Sequence, residues 1–501
     1  MLSSQDREFF SLVSEATFSN PFSDERIHLD RRIARAPRDL DRPELVVRLL
    51  AAVKARLAAV REREGERVDL RRCSAEDRTL LEPVIAFDLF HRHADELDLL
   101  IQEQIARGSR PVRVAFAKDA MASLLRAGFD AAESRRYFAL FYQLRRAFYF
   151  IEHSLPGASA SMQRLRQRLW QNAFTFDVRL YARSLWRRME DFSTFLTGET
   201  GTGKGTAAAA IGRSCFIPFD DKSETFTESF VDGFVSINVS QFPESLIESE
   251  LFGHKKGAFT GAIEGHDGVF ARCSPHGTIF LDEIGEASVP VQIKLLRVLQ
   301  ERSFSPVGGH EALRFGGRVV AATNRPLEEL RASGRLRDDF YYRLCSDVIE
   351  VPPLRQRLSE DPGELDVLLA FILRRILGED SEETRALVRE AIVRDVGSSY
   401  GWPGNVRELE QCVRRVVLTR GYALPRVPAA SEAGVPKRAT RAGGGDERLL
   451  DAIGDESAKG LLARFCGALY ARHGSYEEVA RRTKLDRRTV RAYVASRRAP
   501  D

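Results

Sequence analysis

The stretch that decides the fold of this 501-residue chain reads Phe195-Leu196-Thr197-Gly198-Glu199-Thr200-Gly201-Thr202-Gly203-Lys204. It fits the pattern G-x-x-x-x-G-K, directly after a short apolar run and before a helix of alanines. Glycines let backbone N–H groups wrap phosphates, while the lysine and the helix N-terminus add positive charge. The stretch therefore predicts a phosphate-binding loop for ATP. Its candidate cofactor-binding residues are Gly198, Glu199, Thr200, Gly201, Thr202, Gly203, Lys204, Gly205 and Thr206.

Strand and helix patterns alternate around this loop. Further short apolar runs that end in turn signals occur at 234–238, 278–281 and 319–323. This alternation predicts a parallel α/β sheet over residues 161–354, and the purely helical pattern of residues 355–424 predicts a helical lid. Residues 425–446 are rich in Pro, Ala, Gly and Ser, which predicts a linker.

An acidic strand end supplies the second half of the site. Asp282 and Glu283 follow the apolar run Ile279-Phe280-Leu281. Adjacent carboxylates at a strand end favour a nearby cation, so Asp282 is a candidate Mg²⁺ ligand, directly or through water, and Glu283 a candidate base for the attacking water. The alternative is a solvated acidic turn. Gly205 follows Lys204 where phosphate-binding loops generally carry Ser or Thr, which leaves the Mg²⁺ contact of the loop open.

Composition limits the class of protein. The chain holds 76 basic and 72 acidic residues, a net charge of +4, so any nucleic-acid surface must be local. Its six scattered cysteines predict reduced thiols rather than disulfides or a zinc site. No apolar stretch has the length of a signal peptide or a membrane span, and we expect a cytoplasmic protein without a membrane partner.

The carboxy-terminal segment, residues 447–501, predicts a helix-turn-helix for double-stranded DNA. Residues 472–498 hold nine Lys or Arg against three acidic residues. Ser475 can cap one helix and Asp486 a second after a short turn. Small and apolar residues recur at a spacing of five, as in helix-turn-helix cores: Ala480, Leu485 and Val490. The candidate DNA contacts are Arg487, Arg488, Thr489 and Arg491. The alternative is a solvated basic helix pair.

A hexapeptide between the two halves of the ATP site identifies a family resemblance. It reads Gly257-Ala258-Phe259-Thr260-Gly261-Ala262 and can build a thin loop that presents one ring and one hydroxyl. The string resembles the signature of the bacterial enhancer-binding proteins, the AAA+ activators of sigma-54 RNA polymerase. The resemblance continues almost without gaps over residues 230–355, and it implies that these six residues contact sigma-54.

The same resemblance implies further site residues. Asn238 matches the family asparagine that pairs with the catalytic glutamate, and Asn324 matches the sensor I amide. Arg337 and Arg343 lie in a segment that resembles the one supplying arginine fingers to the neighbouring subunit, and Arg407 lies in the lid motif as sensor II. Fingers acting in trans imply a ring, by family analogy a hexamer. The last residues resemble a Fis-type DNA-binding domain.

Residues 1–160 carry apolar residues at helical spacings and no catalytic constellation. The resemblance implies a regulatory domain here, and a plain helical bundle for oligomer contacts is the alternative. The whole chain therefore resembles an ATP-hydrolysing activator that binds upstream DNA and remodels closed complexes of the sigma-54 RNA polymerase holoenzyme. Two alternatives are an AAA+ remodeller of another client and a DNA-binding regulator with an impaired ATPase.

Overall fold

The computed structural model describes residues 2–64, 68–397, 399–423 and 458–496. The chain divides into two compact units, Met1–Leu424 and Pro425–Asp501. The linker predicted over 425–446 lies outside the described residues. None of the helices in the described ranges combines the length and the apolarity that crossing a bilayer requires.

The amino-terminal part of the first unit is helical, as predicted. Several of its helices begin at side chains that cap backbone N–H groups, among them Ser3 and Asp130, which each form a capping box. The α-helices are α1 (Ser4–Phe18), α2 (Asp24–Ala34), α3 (Arg42–Glu64), α4 (Ala75–Arg92), α5 (Ala94–Arg107), α6 (Ala117–Arg126), α7 (Ala131–Ser154), α8 (Ala160–Phe174) and the short α9 (Val178–Leu180).

The strands of the unit are β1 (Thr194–Thr197), β2 (Phe219–Asp220), β3 (Thr225–Phe226), β4 (Phe234–Asn238), β5 (Thr278–Asp282), β6 (Ser303–Phe304), β7 (Leu313–Arg314), β8 (Arg318–Thr323) and β9 (Asp347–Glu350). Five of them form a parallel sheet in the order β4-β5-β8-β1-β9. Strands β2 and β3 form one antiparallel hairpin, and β6 and β7 form another. The sheet and its helices confirm the predicted AAA+ type of α/β fold.

Helices cover the sheet and continue into the lid. They are α10 (Lys204–Gly212), α11 (Glu244–Phe252), α12 (Val269–Arg272), α13 (Val289–Glu301), α14 (Leu327–Ala332), α15 (Asp338–Leu344), α16 (Leu354–Glu360), α17 (Glu364–Leu377), α18 (Glu382–Asp395) and α19 (Asn405–Thr419). Helices α16 to α19 bury a core of their own that includes Leu369, Val388 and Val413, which is the predicted helical lid.

The amino-terminal helices and the sheet share one hydrophobic core. Alternate strand residues divide between two clusters, since Leu196 and Phe280 join the cluster of the amino-terminal helices while Phe195 and Ile279 join the cluster on the opposite face. The ring of Tyr142 stacks on a hairpin residue, Phe226, at 4.0 Å between centroids. The amino-terminal third therefore covers one face of the ATPase sheet directly.

The described residues of the second unit, 458–496, form three helices, α20 (Ala458–His473), α21 (Tyr476–Thr483) and α22 (Arg487–Ser496). Cys466, Val479, Val490 and Val494 form its buried centre, with Ala480 and Leu485 packed against them. The turn between α21 and α22 places Lys484 in the left-handed region, at φ 57°. Glycine adopts that conformation more readily than lysine, which is the physical reason why glycine is common in such turns.

Candidate active site

The carboxyl ends of three neighbouring strands bring the two halves of the site together. The loop after β1 holds the phosphate-binding sequence, β5 ends at Asp282, and β8 ends at Thr323. Parallel pairing places these ends at one edge of the sheet. Three loop glycines have positive φ, which an L-residue adopts at a cost: Gly198, Gly201 and Gly203. A Cβ on Gly203 would meet nothing within 4 Å, so this part of the loop faces open space.

Lys204 is a buried cation, and no carboxylate of the described residues forms an ion pair with it. Its residue is only 7% exposed, and its ammonium donates to the carbonyls of Gly198 at 2.8 Å and Glu199 at 3.0 Å. Burial lowers the pKa of Lys204, while the nearby charges of Glu283 and Asp282 oppose that shift. A buried ammonium served only by carbonyl oxygens suits an incoming phosphate, and the loop therefore fits a nucleotide.

The acidic pair occupies the predicted place beside the loop. Glu283 has left-handed backbone geometry, φ 53°, and its Oε2 accepts a hydrogen bond from the Asn324 N–H at 3.3 Å. The Asn324 side chain in turn donates to the Thr200 hydroxyl at 3.1 Å. Burial raises the pKa of Glu283, and the adjacent Asp282 charge acts in the same direction. A raised pKa suits a general base, because it strengthens the affinity of the carboxylate for a proton.

Asn238 lies at the same sheet edge, and within the described residues its side chain forms hydrogen bonds with Ser240 rather than with Glu283. The register pairs Asn238 with Asp282, and the Asn238 Oδ1 accepts from the N–H of Ser240 at 2.9 Å and from its hydroxyl at 2.7 Å. The contacts to the glutamate come from Asn324 instead. The pairing of Asn238 with the glutamate therefore stays a prediction.

A polar contact that the sequence did not predict ties the lid to the phosphate-binding loop. Asn405, fully buried, donates to the Thr200 carbonyl at 3.0 Å and to Glu199 at 3.1 Å, and it accepts from the Leu354 N–H at 2.7 Å. Arg355 holds the Glu199 carboxylate through two bonds of 2.7 and 2.6 Å, which lowers the pKa of Glu199. The sequence signal was the motif 402–409, but the partners lie about two hundred positions upstream, beyond the reach of any local pattern.

The lid and the loop also meet through their backbones. A Cβ on Gly201 would lie 2.2 Å from the Gly404 carbonyl oxygen, so only glycine fits there. The Arg407 N–H donates to the Gly201 carbonyl at 3.3 Å. The charge of the Arg407 side chain also contributes to lowering the pKa of Lys204. Arg407 is thus brought to the site, as the lid motif predicted.

The two finger candidates bond only to their own chain's residues near α15. Arg337 donates to Asp339 at 3.0 and 2.7 Å, and Arg343 donates to the Leu299 carbonyl at 3.0 and 2.8 Å. Within the described residues, neither guanidinium group forms a hydrogen bond or an ion pair with the loop or the acidic pair. The fold therefore leaves both guanidinium groups away from the site of the same chain.

Gly205 lies where phosphate-binding loops generally carry Ser or Thr. A Cβ there would meet only Phe280, at an ordinary 3.8 Å, so a side chain could fit. Thr206 is exposed on the first turn of α10. Within the described ranges no group of three or more His, Cys, Asp or Glu side chains forms a metal site, and Asp282 remains the candidate Mg²⁺ ligand.

The hexapeptide 257–262 forms a tight loop near the surface. Its ends are joined by the Gly257 N–H and the Ala262 carbonyl at 2.8 Å, and Thr260 is exposed. The ring of Phe259 is 38% exposed and lies 4.9 Å from the His254 ring. The loop stands on a base of backbone bonds between 253–255 and Val307, which belongs to the β6–β7 hairpin region. Its tip is therefore presented outward on a fixed base.

The basic helix of the second unit exposes its predicted DNA contacts unevenly. Arg487 and Arg488 are exposed, although Arg487 pairs with Glu477 at 2.8 Å. The Thr489 hydroxyl donates to Asp486 at 2.5 Å, so it completes the helix cap that the sequence predicted for that aspartate. Arg491 is exposed and lies over the Tyr476 ring at 5.9 Å.

Comparison with known proteins decides the family of the ATPase part. Residues 179–350 match the family model described as the sigma-54 interaction domain. This part of the chain is a sigma-54 interaction domain. The predicted resemblance and the predicted enzyme class, a P-loop AAA+ ATPase, are thereby confirmed for this domain.

Curated relatives match part of this chain over part of their own length. The chain is 43% identical over 243 residues to the Nif-specific regulatory protein of Bradyrhizobium diazoefficiens, covering 48% of this chain and 38% of the relative. It is 40% identical over 276 residues to the protein of the same name in Klebsiella pneumoniae, 54% of this chain and 49% of the relative. It is 39% identical over 307 residues to the anaerobic nitric oxide reductase transcription regulator NorR of Citrobacter koseri, 60% and 52% respectively. The chain thus spans roughly two fifths to a half of these relatives.

Proposed function

We propose that this protein hydrolyses ATP to remodel sigma-54 RNA polymerase closed complexes, after binding upstream DNA through its second unit. The observation that carries the proposal is the exposed Phe259-Thr260 tip on a sigma-54 interaction domain whose sheet edge also brings the phosphate-binding loop close to Glu283. A remodelling ATPase needs both a hydrolytic site and a surface that meets its client. The bacterial cytoplasm is the proposed location.

The chemistry follows from the groups at the sheet edge. Lys204 and the loop N–H groups would hold the β and γ phosphates, and Glu283 would take the proton of the attacking water. Mg²⁺ held at Asp282 would neutralise phosphate charge. Asn324 links the Glu283 carboxylate to Thr200 of the loop, and it is therefore placed to respond to the γ phosphate.

A ring supplies what one chain lacks. Arg337 and Arg343 bond away from their own site, so a neighbouring copy is the proposed recipient of these guanidinium groups. Breaking the Arg337–Asp339 pair costs little, because both partners are exposed. A ring of identical subunits, by family analogy a hexamer, would complete every site in this way.

Complementation tests the ring. Glu283→Gln lacks the base and Arg337→Ala lacks a finger, so each is expected to be inactive alone. An equimolar mixture should regain ATPase activity, because some interfaces then pair an intact base with an intact finger. Arg314→Ala, which changes an exposed arginine on the hairpin, serves as the control and should stay active alone. A mixture as inactive as its components would contradict fingers in trans.

The client contact is tested by Thr260→Ala in the full chain. We expect ATPase activity to persist while open-complex formation at a sigma-54 promoter is lost, because the residue is exposed and lies outside the phosphate-binding loop and the acidic pair. Ile263→Ala is the matched control, since Ile263 is 77% exposed just beyond the hexapeptide, and it should still activate. Activation by Thr260→Ala would reject the loop as the sigma-54 contact and favour another AAA+ client.

DNA binding rests on the charge of α22. The exposed Arg488 and Arg491 lie on α22, and Val490 and Val494 of the same helix pack against the two helices before it. Binding of the protein to double-stranded DNA should weaken as salt rises, with a shallower slope after Arg488→Ala. A salt-independent affinity would contradict phosphate contacts from this helix.

A further inference from the structure

A cavity of about 1000 Å³ lies between the amino-terminal helices and the ATPase domain. Residues of α7 such as Ala139 and Gln143 form one wall, and Gly277 and Arg318 form part of the other. Gly277 directly precedes β5 and Arg318 begins β8. The cavity is therefore at the amino ends of the strands, opposite the nucleotide site at their carboxyl ends.

Positive charge dominates its walls. Five arginines line the cavity against two glutamates, Glu133 and Glu190. One of the arginines, Arg135, has an ion pair with Asp221 at 3.0 Å. The other four have no carboxylate partner within the described part of the chain: Arg136, Arg187, Arg314 and Arg318. The cavity thus presents an excess of unpaired guanidinium groups.

Arg318 is the decisive member because it is buried. The residue is 4% exposed, and its bonds go to neutral acceptors, including Asn172 Oδ1 at 2.7 Å and the Phe192 carbonyl at 3.0 Å. Its Nη1 donates no hydrogen bond to any described residue. Burial lowers the pKa of Arg318. The Asp347 carboxylate favours the Arg318 charge from beyond ion-pair distance, and the groups in direct contact with the guanidinium within the described residues are neutral. A bound anion at this wall would offset the remaining cost of burying the charge.

The rest of the lining is apolar and aromatic. Trp186, Phe216 and Phe219 contribute rings, and Ala132 and Met189 add small or flexible apolar surface. Ligand pockets of about 300–1,000 Å³ combine such apolar walls with a few polar groups that fix orientation. From the charge and the lining together, we infer that the cavity binds a small organic anion, a carboxylate, sulfonate or phosphate ester attached to an apolar planar body.

The ligand would connect the amino-terminal helices to the client loop. Arg314 is the last residue of β7 and lines the cavity. Val307, between β6 and β7, donates its N–H to the Gly253 carbonyl at 2.8 Å, at the base of the hexapeptide loop. A bound anion that holds α7 against this hairpin therefore biases the position of the loop base. This coupling rests on the proposed function, whereas the binding site does not.

Fluorescence titration of the full chain with anilinonaphthalene sulfonate tests the site. We expect saturable binding of one dye per chain, and weaker binding of phenylnaphthylamine, which has similar rings but no charge. Arg187→Glu combined with Arg314→Glu should weaken dye binding by about tenfold or more, because charge-assisted contacts are lost. Arg188→Glu is the matched control, since Arg188 is an exposed neighbour that does not line the cavity.

A second variant separates shape from charge. Ala132 is exposed at the start of α7 and lines the cavity, so Ala132→Trp should block the dye without changing any arginine. Equal dye binding by wild type, the double variant and Ala132→Trp would overturn the site, as would the absence of saturable binding. If the dye binds as expected but leaves open-complex formation unchanged, the coupling to the client loop is overturned. ATPase assays without the dye report separately on the proposed function.

Discussion

Asn405 joins the lid to the phosphate-binding loop, and replacing it with alanine should loosen that joint. The change removes the acceptor of the Leu354 N–H, a group on a fully buried residue, and both donors to the loop. An unsatisfied buried N–H costs about 1–3 kcal/mol. Asn405 also has φ 53°, a left-handed conformation that asparagine visits more readily than alanine, at a cost of about 1 kcal/mol.

The two contributions add to about 2–4 kcal/mol, a large share of the roughly 5–15 kcal/mol that keeps a domain folded. Asn405→Gly separates them, because glycine loses the same hydrogen bonds but adopts positive φ freely. The glycine variant should therefore be about 1 kcal/mol more stable than the alanine variant.

Urea unfolding of the full chain, followed by tryptophan fluorescence, measures the effect. Trp402 is 3% exposed in the lid and reports its unfolding. All three tryptophans of the chain lie in the first unit, so the fluorescence transition is that of this unit alone. ATP affinity should fall in parallel, since Glu199 and Thr200 lose their lid contact. The reasoning fails if Asn405→Ala unfolds at the wild-type urea concentration, or if the glycine variant is the less stable of the two.

Four further variants address the site and the DNA surface. Glu283→Gln should keep ATP binding and lower turnover by about hundred- to ten-thousand-fold. In the wild type, burial raises the pKa of Glu283, so turnover should decline at a higher pH than it would with an ordinary glutamate as the base. A flat pH profile would contradict this base. Gly205→Ala should stabilise α10 by about 0.5–1 kcal/mol, measured by thermal unfolding. Gly201→Ala should lower the melting temperature of the first unit, because its Cβ would lie 2.2 Å from the Gly404 carbonyl oxygen. Equal melting temperatures of the two variants and the wild type would refute both expectations. Arg491→Glu should abolish DNA binding in a gel-shift assay without affecting ATPase activity, and unchanged DNA affinity would exclude this arginine.

Local patterns predicted much of the fold and of the nucleotide site. The run 195–204 specifies a strand, a turn and a helix from adjacent residues, and the caps at Ser475 and Asp486 need only their own helices. The lid contact of Asn405 could not be predicted in this way, because its partners are distant in sequence and meet only after the sheet forms. The bonding of Arg343 to the Leu299 carbonyl is likewise set by the packing of α13 against α15.

The shared core has a consequence for exchanging parts between relatives. The family model begins at residue 179, after α8, yet the face of the ATPase sheet that holds Leu196 and Phe280 is covered by helices before that point. Tyr142 on α7 stacks on Phe226, and Phe138 meets Phe219 at 4.8 Å, so the β2–β3 hairpin is shaped to this particular cover. A chimera that joins these helices to another ATPase must carry the hairpin with them. The working module for transplantation therefore runs from the first helix through the sheet.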